Sequence, residues 1–389
     1  MELTFANIAL IVAASQSLLL SALIFQKHRT LFANRFLGAL MLSYTLILLH
    51  ILFQDAGVYA RIPILYIFVG VTLVASQLQY LYTKYLLNQS KEFAGNDWFH
   101  FLPFFIAEFI LAASILFGMI DFSDVFIASP TTTPFIFRVF NWVLIVQGIA
   151  YMTASLRLII RYNKHLKDVL SSIEEIQMNW LRNITVAGMT AWTLFFIEDL
   201  LLTQGINLSN FVFVSVTFAI YVYAMGFIGL IKSEIFASPD VEETMHQISG
   251  IDATSDTMNL KYEKSGLSNE TAQQYLMQLL ALMEQEQPHF DPSLTLTRLA
   301  EKLSISPHNL SEVINSQLNK NFYDFINSYR IEQIKKDLAD PAKQHLKILS
   351  IAFDAGFNSK ATFNTLFKEQ IGKTPSEYRK SVLKTISEE

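Results

Sequence analysis

The stretch ILSIAFDAGFNSKATFNTLFKEQIGKTPSEYRK, residues Ile348–Lys380, decides the fold of the C-terminal part of this chain. Its apolar spacing predicts a first helix that ends at Ala355-Gly356, because glycine readily adopts the left-handed conformation that follows a helix. Ser359 is placed to cap a second helix, from about Lys360 to Gln370. The inward face of the second helix carries Phe363, Leu366 and Phe367. The pattern predicts a helix-turn-helix, a geometry that fits the DNA major groove but also occurs in proteins that do not bind DNA.

A second unit of the same kind lies upstream, in LTLTRLAEKLSISPHNLSEVINSQL. Ser306 is placed to cap its second helix, and Pro307 suits the first helical position, where its missing N–H is not needed. Between the units, FYDFINSYRIEQIKKDLAD predicts one connecting helix that ends near Asp340-Pro341. The inward face of the second helix is expected to consist of Leu310, Val313, Ile314 and Leu318. Two tandem units favour DNA binding more strongly than one.

These residues closely resemble the DNA-binding domain of AraC-type transcription regulators. The resemblance covers about Pro292 to Ser381 and rests on the connector together with two short patterns, Ala355-Gly356-Phe357 and Gly372-x-Thr374-Pro375-x-x-Tyr378-Arg379. It implies two recognition helices that enter successive major grooves on one face of the duplex. Only Glu312 departs from expectation, since an acidic residue can read cytosine but weakens phosphate attraction.

The candidate DNA contacts fall into two groups. The expected base readers are His308, Asn309, Ser311, Glu312 and Asn315 in the first unit, and Lys360, Thr362, Asn364 and Thr365 in the second. The expected phosphate contacts are Ser306, Ser359, Lys373 and Arg379. The chain as a whole carries a net charge of -5. Residues 298–384 alone hold 14 Lys and Arg against 9 Asp and Glu, so the basic excess is local to the predicted DNA-binding part.

The first 235 residues are strongly apolar, and a membrane helix needs about 20 such residues. The predicted spans are Phe5–Phe25, Arg35–Phe53, Ile62–Leu86, Phe99–Ile120, Phe135–Ile159, Ile184–Leu202 and Phe211–Ile231. The alternative, a large buried helical core, is disfavoured by seven runs of this length. Eleven Lys and Arg residues fall on the side of the C-terminus and two on the other. The positive-inside rule therefore places the N-terminus outside and the C-terminus in the cytoplasm.

Three carboxylates lie within the predicted spans, where charges are expensive and usually face a bundle interior. They are Glu108, Glu198 and Asp199. One interpretation is an intramembrane pocket that binds a cationic or polar ligand, or protons. The other is inward-facing structural carboxylates that hydrogen-bond between helices. The sequence leaves both open.

The predicted organisation is an all-α chain with four parts. Residues 1–235 form a seven-helix transmembrane bundle, 236–267 a polar cytoplasmic linker, 268–291 a lead-in helix, and 292–389 the AraC-like tandem helix-turn-helix domain. The stripe on the lead-in helix could pack on that domain or on its twin in a dimer, and we favour the domain. Nucleotide-binding and zinc-protease motifs are missing, and there are no cysteines. We therefore expect neither enzyme activity nor a cofactor or metal site.

These features predict a membrane-embedded one-component transcription regulator of a bacterial cytoplasmic membrane. The expected partners are double-stranded promoter DNA, the lipid bilayer, RNA polymerase, a second copy of the chain and an unidentified signal ligand. One alternative is a membrane receptor or transporter whose cytoplasmic helical domain docks a protein. In another, the spans serve only as an anchor and the C-terminal domain is released by proteolysis.

Overall fold

The computed structural model describes residues 5–26, 31–88, 92–117, 135–174, 176–203, 213–236 and 267–388. Within these ranges the regular elements are helices, with one isolated antiparallel bridge, so the fold is all-α as the sequence predicts. The chain folds into two compact units. The first consists of Met1–Tyr162 with Met178–Met245, and the second of Asn163–Gln177 with His246–Glu389.

The first unit is built from long apolar helices. They are α1 (Phe5–Gln26), α2 (Asn34–Asp55), α3 (Ala75–Asn88), α4 (Leu102–Leu116), α5 (Phe135–Val169), α6 (Asn179–Thr203) and α7 (Phe213–Phe236). A single turn at Val58–Arg61 and two 3-10 helices, Pro63–Leu73 and Gly95–Phe101, lie between them. Helix α1 packs against α2 and α7, and α6 packs against α7. The last residues of α5 belong to the second unit.

Two of the predicted spans are not single α-helices. The span Ile62–Leu86 is a 3-10 helix followed by α3, and we attribute this to Gly70 and the β-branched residues of VGVTLV, which favour the α-helix weakly. The span Phe99–Ile120 begins in 3-10 form, and α4 starts at Leu102, where Pro103 suits a first turn.

By length and composition, four of the described helices could cross a membrane. They are Asn7–Gln26, Asn34–Phe53, Gly95–Ser114 and Trp142–Val169, with a shorter apolar helix at Val216–Lys232. The predicted number of seven spans stays a prediction. The predicted linker 236–267 lies almost wholly outside the described residues.

Polar side chains join the helices of the first unit at buried positions. Ser17 Oγ on α1 donates to the Met41 carbonyl of α2 at 2.7 Å. Tyr44 and Tyr221 share a hydrogen bond at 3.2 Å, and the Tyr221 hydroxyl donates to Gln79 Oε1 at 3.0 Å, so this cluster ties α2, α7 and α3 together. Buried polar groups are paired in this way because leaving them unpaired is costly.

The second unit holds the C-terminal helices together with residues 163–177. The helices are α8 (Asn269–Gln285), α9 (Leu296–Lys302), α10 (Pro307–Leu318), α11 (Phe322–Ala339), α12 (Ile348–Asp354), α13 (Lys360–Ile371) and α14 (Pro375–Glu388). Helix α8, the predicted lead-in helix, packs against α10, as we favoured. Helix α11 contacts α10, which precedes it in the sequence, and α12, α13 and α14, which follow it. It therefore joins two helical subdomains.

Candidate nucleic-acid interface

The second helix-turn-helix consists of α12 and α13 and has the predicted local structure. Gly356 has φ +97°, the left-handed conformation that ends α12. Ser359 Oγ accepts a hydrogen bond from the Thr362 backbone N–H at 3.4 Å, and so caps α13. Phe363 and Phe367 are almost fully buried, in one apolar cluster with residues of α11 and α12. The turn and the core therefore fix the direction in which the outer face of α13 points.

That outer face is polar and open to solvent. Lys360, Asn364 and Thr365 are exposed, and Thr362 is partly exposed, in agreement with their predicted orientation. Lys373 follows the helix and is also exposed. A surface depression of about 540 Å³ lies along this face, lined by Asn364, Thr365, Lys368, Glu369, Thr374 and Pro375. Amides, hydroxyls and ammonium groups at such positions can hydrogen-bond to base edges and phosphates.

The first helix-turn-helix consists of α9 and α10. Ser306 Oγ accepts from the Asn309 backbone N–H at 3.1 Å, and Pro307 occupies the first helical position, as predicted. Ser304, in the turn, has φ +55°. The predicted inward residues Leu310, Val313 and Ile314 are fully buried, and Leu318 is partly buried. His308 and Asn309, near the start of α10, are partly exposed.

The predicted outward orientation is wrong for Ser311 and Glu312. Only 6% of Ser311 and 9% of Glu312 is exposed. Helix α10 packs against α8 as well as α9 and α11, so its middle is covered on more than one side. Asn315 is partly buried, and its Nδ2 donates to the Ser311 carbonyl at 2.9 Å. The accessible part of α10 is thus its first turn, around His308 and Asn309.

Arg379 has an internal role in place of the predicted phosphate contact. Its guanidinium donates to the carbonyls of Leu346, Lys343 and Gln344, each at 2.8 Å. These three bonds tie α14 to the segment that precedes α12. Because the donors of the side chain are directed at backbone oxygens, we no longer count Arg379 among the DNA contacts.

The sequence reasoning missed Arg330, the buried guanidinium of α11. It is 0% exposed and hydrogen-bonds to groups from several parts of the second unit. Burial lowers the pKa of this guanidinium to about 10. A charged residue in the apolar periodicity of the connector was the only available signal, and its partners lie far away in the sequence.

The predicted intramembrane carboxylates are only partly described. Glu108 on α4 is half-buried, and its Oε1 has no hydrogen-bond partner among the described residues. The side chains of Glu198 and Asp199 on α6 lie outside the described residues. The structure therefore leaves the predicted grouping of these three carboxylates untested.

Comparisons with known proteins agree on the C-terminal part. A family model described as a helix-turn-helix domain matches residues 299–381. Uncharacterized HTH-type transcriptional regulators of Staphylococcus aureus strains COL and MSSA476 are each 36% identical over 91 residues, which are 23% of this chain and 12% of each relative. The melibiose operon regulatory protein of Escherichia coli K12 is 28% identical over 109 residues, 28% of this chain and 34% of that protein.

The matched region is thus a minor part of every protein compared, and no solved structure gives a significant match to the chain. The matched residues contain both helix-turn-helix units except the first turn of α9. Residues 299–381 of this chain accordingly form a helix-turn-helix domain that is similar to those of these transcriptional regulators, in agreement with the resemblance to AraC-type regulators.

Proposed function

We propose that this chain is a one-component transcription regulator embedded in a bacterial cytoplasmic membrane. In this proposal the helices of the first unit sense a signal, and the second unit binds promoter DNA sequence-specifically in the cytoplasm. The regulator would act on RNA polymerase, as a homodimer. The observation that carries the proposal is the pair of capped helix-turn-helix units joined by α11, each with accessible polar groups on its second helix.

The geometry supports a revised set of DNA contacts. In the second helix-turn-helix, we propose that the outer face of α13 reads bases through Lys360, Thr362, Asn364 and Thr365. In the first helix-turn-helix, His308 and Asn309 are proposed to read bases, because the N-terminal residues of a recognition helix contact base edges in helix-turn-helix complexes. Lys373 is proposed to bind phosphate. Ser306 and Ser359 already cap their helices, and the positive end of the helix dipole at the start of α13 is proposed to attract a phosphate oxygen.

The outer surface of the first unit supports the membrane assignment. Phe109 is 77% exposed, Val146 64% and Ile220 63%, on α4, α5 and α7 respectively. Exposing such side chains to water costs about 25 cal/mol for each Å² of apolar surface, whereas lipid tails meet them without that cost. Only 11% of the apolar window in Gly95–Ser114 is buried within the protein. A helix that is apolar on its exposed side favours a lipid neighbour.

We further propose that Glu108, with Glu198 and Asp199, contributes to the signal site. The Oε1 of Glu108 has no hydrogen-bond partner among the described residues, and this supports the proposal, because an intramembrane carboxylate oxygen needs a partner. The competing structural role, in which the carboxylates hydrogen-bond between helices, predicts loss of folding when they are changed. Glu108→Gln keeps the shape and removes the charge, so it separates the two: an altered signal response with normal protein levels supports the site.

The test of the regulator proposal is selection of genomic DNA fragments by the full-length chain in lipid nanodiscs. We expect a small set of fragments, bound with an affinity that falls steeply with salt because phosphate contacts release counterions. Salt-insensitive binding, or binding without sequence preference, would contradict the proposal and favour a receptor or transporter whose helical domain docks a protein. A stable soluble fragment containing the second unit in cells would favour the proteolytic-release alternative.

A further inference from the structure

Residues 163–177, which lie between the body of α5 and α6, belong to the same compact unit as the DNA-binding helices. Leu170 forms an antiparallel bridge with Thr295, the residue that caps α9. Ser171 continues this pairing, since its N–H and its Oγ both donate to the Leu294 carbonyl, at 3.3 and 2.8 Å. The segment is therefore joined to the start of the first helix-turn-helix by an isolated β-bridge, a short form of the strand pairing by which extended segments dock.

Apolar side chains anchor the same segment. Leu170 is 6% exposed, and Ile173 and Ile176 are each 5% exposed. The ammonium group of Lys167 lies 5.5 Å from the centre of the Tyr323 ring, at the start of α11, a cation–π distance. The β-bridge combined with these buried side chains makes a specific intrachain docking contact, because packing fixes the register of the pairing.

Arg330, on α11, hydrogen-bonds to the same segment. Its Nη1 donates to the Ser171 carbonyl at 3.1 Å, and its Nη2 donates to Ser171 Oγ, also at 3.1 Å. Asn327 Nδ2 donates to the same Ser171 carbonyl at 3.1 Å. Ser171 is 1% exposed, so its hydrogen bonds are shielded from water. Without the Ser171 hydroxyl, Nη2 of the buried guanidinium would lose one of its two acceptors, which is costly for a buried charged group.

The same guanidinium contacts the segment that leads into the first helix-turn-helix and the turn of the second. Its Nε donates to the His289 carbonyl and its Nη2 to the Asp291 carbonyl, both at 2.8 Å, in the segment that leads into α9. On the other side it lies 5.8 Å from the centre of the Phe357 ring, in the turn of the second unit. Arg330, on the connector α11, thus lies where the docked segment, the lead-in to the first helix-turn-helix and the turn of the second helix-turn-helix meet.

We propose that segment 163–177 is an intrachain control element of the DNA-binding domain: its docking at Arg330 holds the two helix-turn-helix units in one fixed arrangement, and its release weakens DNA binding. The segment is continuous with α5 at one end and is followed directly by α6, so a change in those helices is transmitted to it along the chain. Fixing two recognition helices before DNA arrives raises affinity, because less conformational freedom is lost on binding. The proposal rests on the proposed function and names how it is regulated.

The chain contains no cysteine, which allows a direct test. Residues opposite each other in an antiparallel bridge lie about 4.5–5.5 Å apart at Cα, a separation that suits a disulfide. We would introduce L170C and T295C together in the full-length protein in nanodiscs, and measure affinity for the tightest fragment from the genomic selection before and after oxidation. T295C alone is the control for loss of the α9 cap, and Lys335→Ala, in an exposed ion pair of α11, is the control for a harmless change.

We expect the disulfide to form in the folded protein, and the oxidised form to bind the DNA fragment at least tenfold more tightly than the reduced double variant. Ser171→Ala should weaken binding about tenfold with unchanged helix content, and Lys335→Ala should leave it within twofold. Failure of the disulfide to form in protein that still binds DNA would overturn the docking contact. A disulfide that forms while affinity stays within twofold would overturn the control role. A disulfide that forms in protein that binds no DNA in either state would instead overturn the proposed function, and the control role with it.

Discussion

At the scale of single residues, the sequence predicts what depends on neighbours along the chain. The caps Ser306 and Ser359 and the left-handed Gly356 are all confirmed, because each acts on backbone groups within three residues. The predicted outward orientation of Glu312 is wrong, because this residue is buried in a helix that also packs against α8. The partners of Arg330 include Ser171, 159 positions away, and no local pattern reports such a pairing.

Gly356 is expected to tolerate no side chain. A Cβ there would meet the backbone carbonyls of His289 and Phe290, and φ +97° adds left-handed strain. We predict that Gly356→Ala destabilises the second unit by about 2 kcal/mol or more. Gly372→Ala is the matched control, since φ is +76° but no atom lies within 4 Å, and strain alone predicts about 1 kcal/mol. Urea unfolding followed by limited proteolysis of the full-length protein measures both, and equal losses would contradict the argument.

His289 gives the second unit a pH dependence. Burial, together with repulsion from Arg330 and Lys336, lowers its pKa to about 4. The unfolded chain, with an ordinary pKa near 6.5, binds more protons than the folded chain between these values. Stability from this group is therefore complete above pH 6.5 and is lost as the pH falls towards 4.

We predict a lower urea midpoint for the second unit at pH 5 than at pH 7. His289→Phe should remove much of this difference, because phenylalanine keeps the ring packing against Phe290 and does not titrate. Carboxylates contribute mainly below pH 5, so this window reports the titration of histidines. A variant with the same drop between pH 7 and pH 5 as the natural chain would show that another group is responsible.

At the scale of elements, the apolar periodicity predicts where the helices lie, and the capping residues predict where they begin and end. The connector α11 ends at Ala339, beside the predicted Asp340-Pro341, and α13 spans Lys360–Ile371, within one residue of expectation. The 3-10 helix at Pro63–Leu73 was not foreseen, since a continuous apolar run looks the same in either helix type. The outer face of α13, which we propose reads bases, is predictable because the aromatic residues of this helix lie on its inward side.

Helix α13 should separate base reading from phosphate binding. We predict that Asn364→Ala reduces discrimination at one base position by about 1–3 kcal/mol and leaves the salt dependence unchanged. Lys373→Ala should weaken binding to every sequence alike and reduce the salt slope by about 0.9. Binding of a panel of single-base variants by the full-length protein, at several salt concentrations, measures both. If the two changes weaken all sequences equally, the proposed roles are wrong.

At the scale of the whole molecule, composition predicted two parts with different environments, and the chain does fold into two units. The assignment of residues 163–177 to the second unit was not predictable. These residues are the last turns of α5 and the short segment after it, so in the sequence they look like a helix end and an ordinary loop. Their membership depends on buried contacts with distant residues, among them Leu170 with Thr295.

The distribution of Lys and Arg predicts which loops of the first unit face the cytoplasm. In the full-length chain, a cysteine at Arg61 should react with a membrane-impermeant maleimide in intact cells. A cysteine at Lys164 should react only after the cells are permeabilised, because the positive-inside rule predicts that the basic side faces the cytoplasm. Both side chains are exposed, and the natural chain has no competing cysteine. The opposite labelling pattern would reverse the topology and would place the DNA-binding domain away from DNA.

The central claim is that a membrane-embedded chain binds specific DNA, and one measurement tests it most directly. The tagged full-length protein is crosslinked to DNA in its own host, membranes are sedimented, and the DNA that sediments with them is sequenced. We predict enrichment of a few promoter fragments, lost in a variant carrying Lys360→Ala, Asn364→Ala and Lys373→Ala. Membranes that carry no fragment beyond the level of that variant would contradict the account.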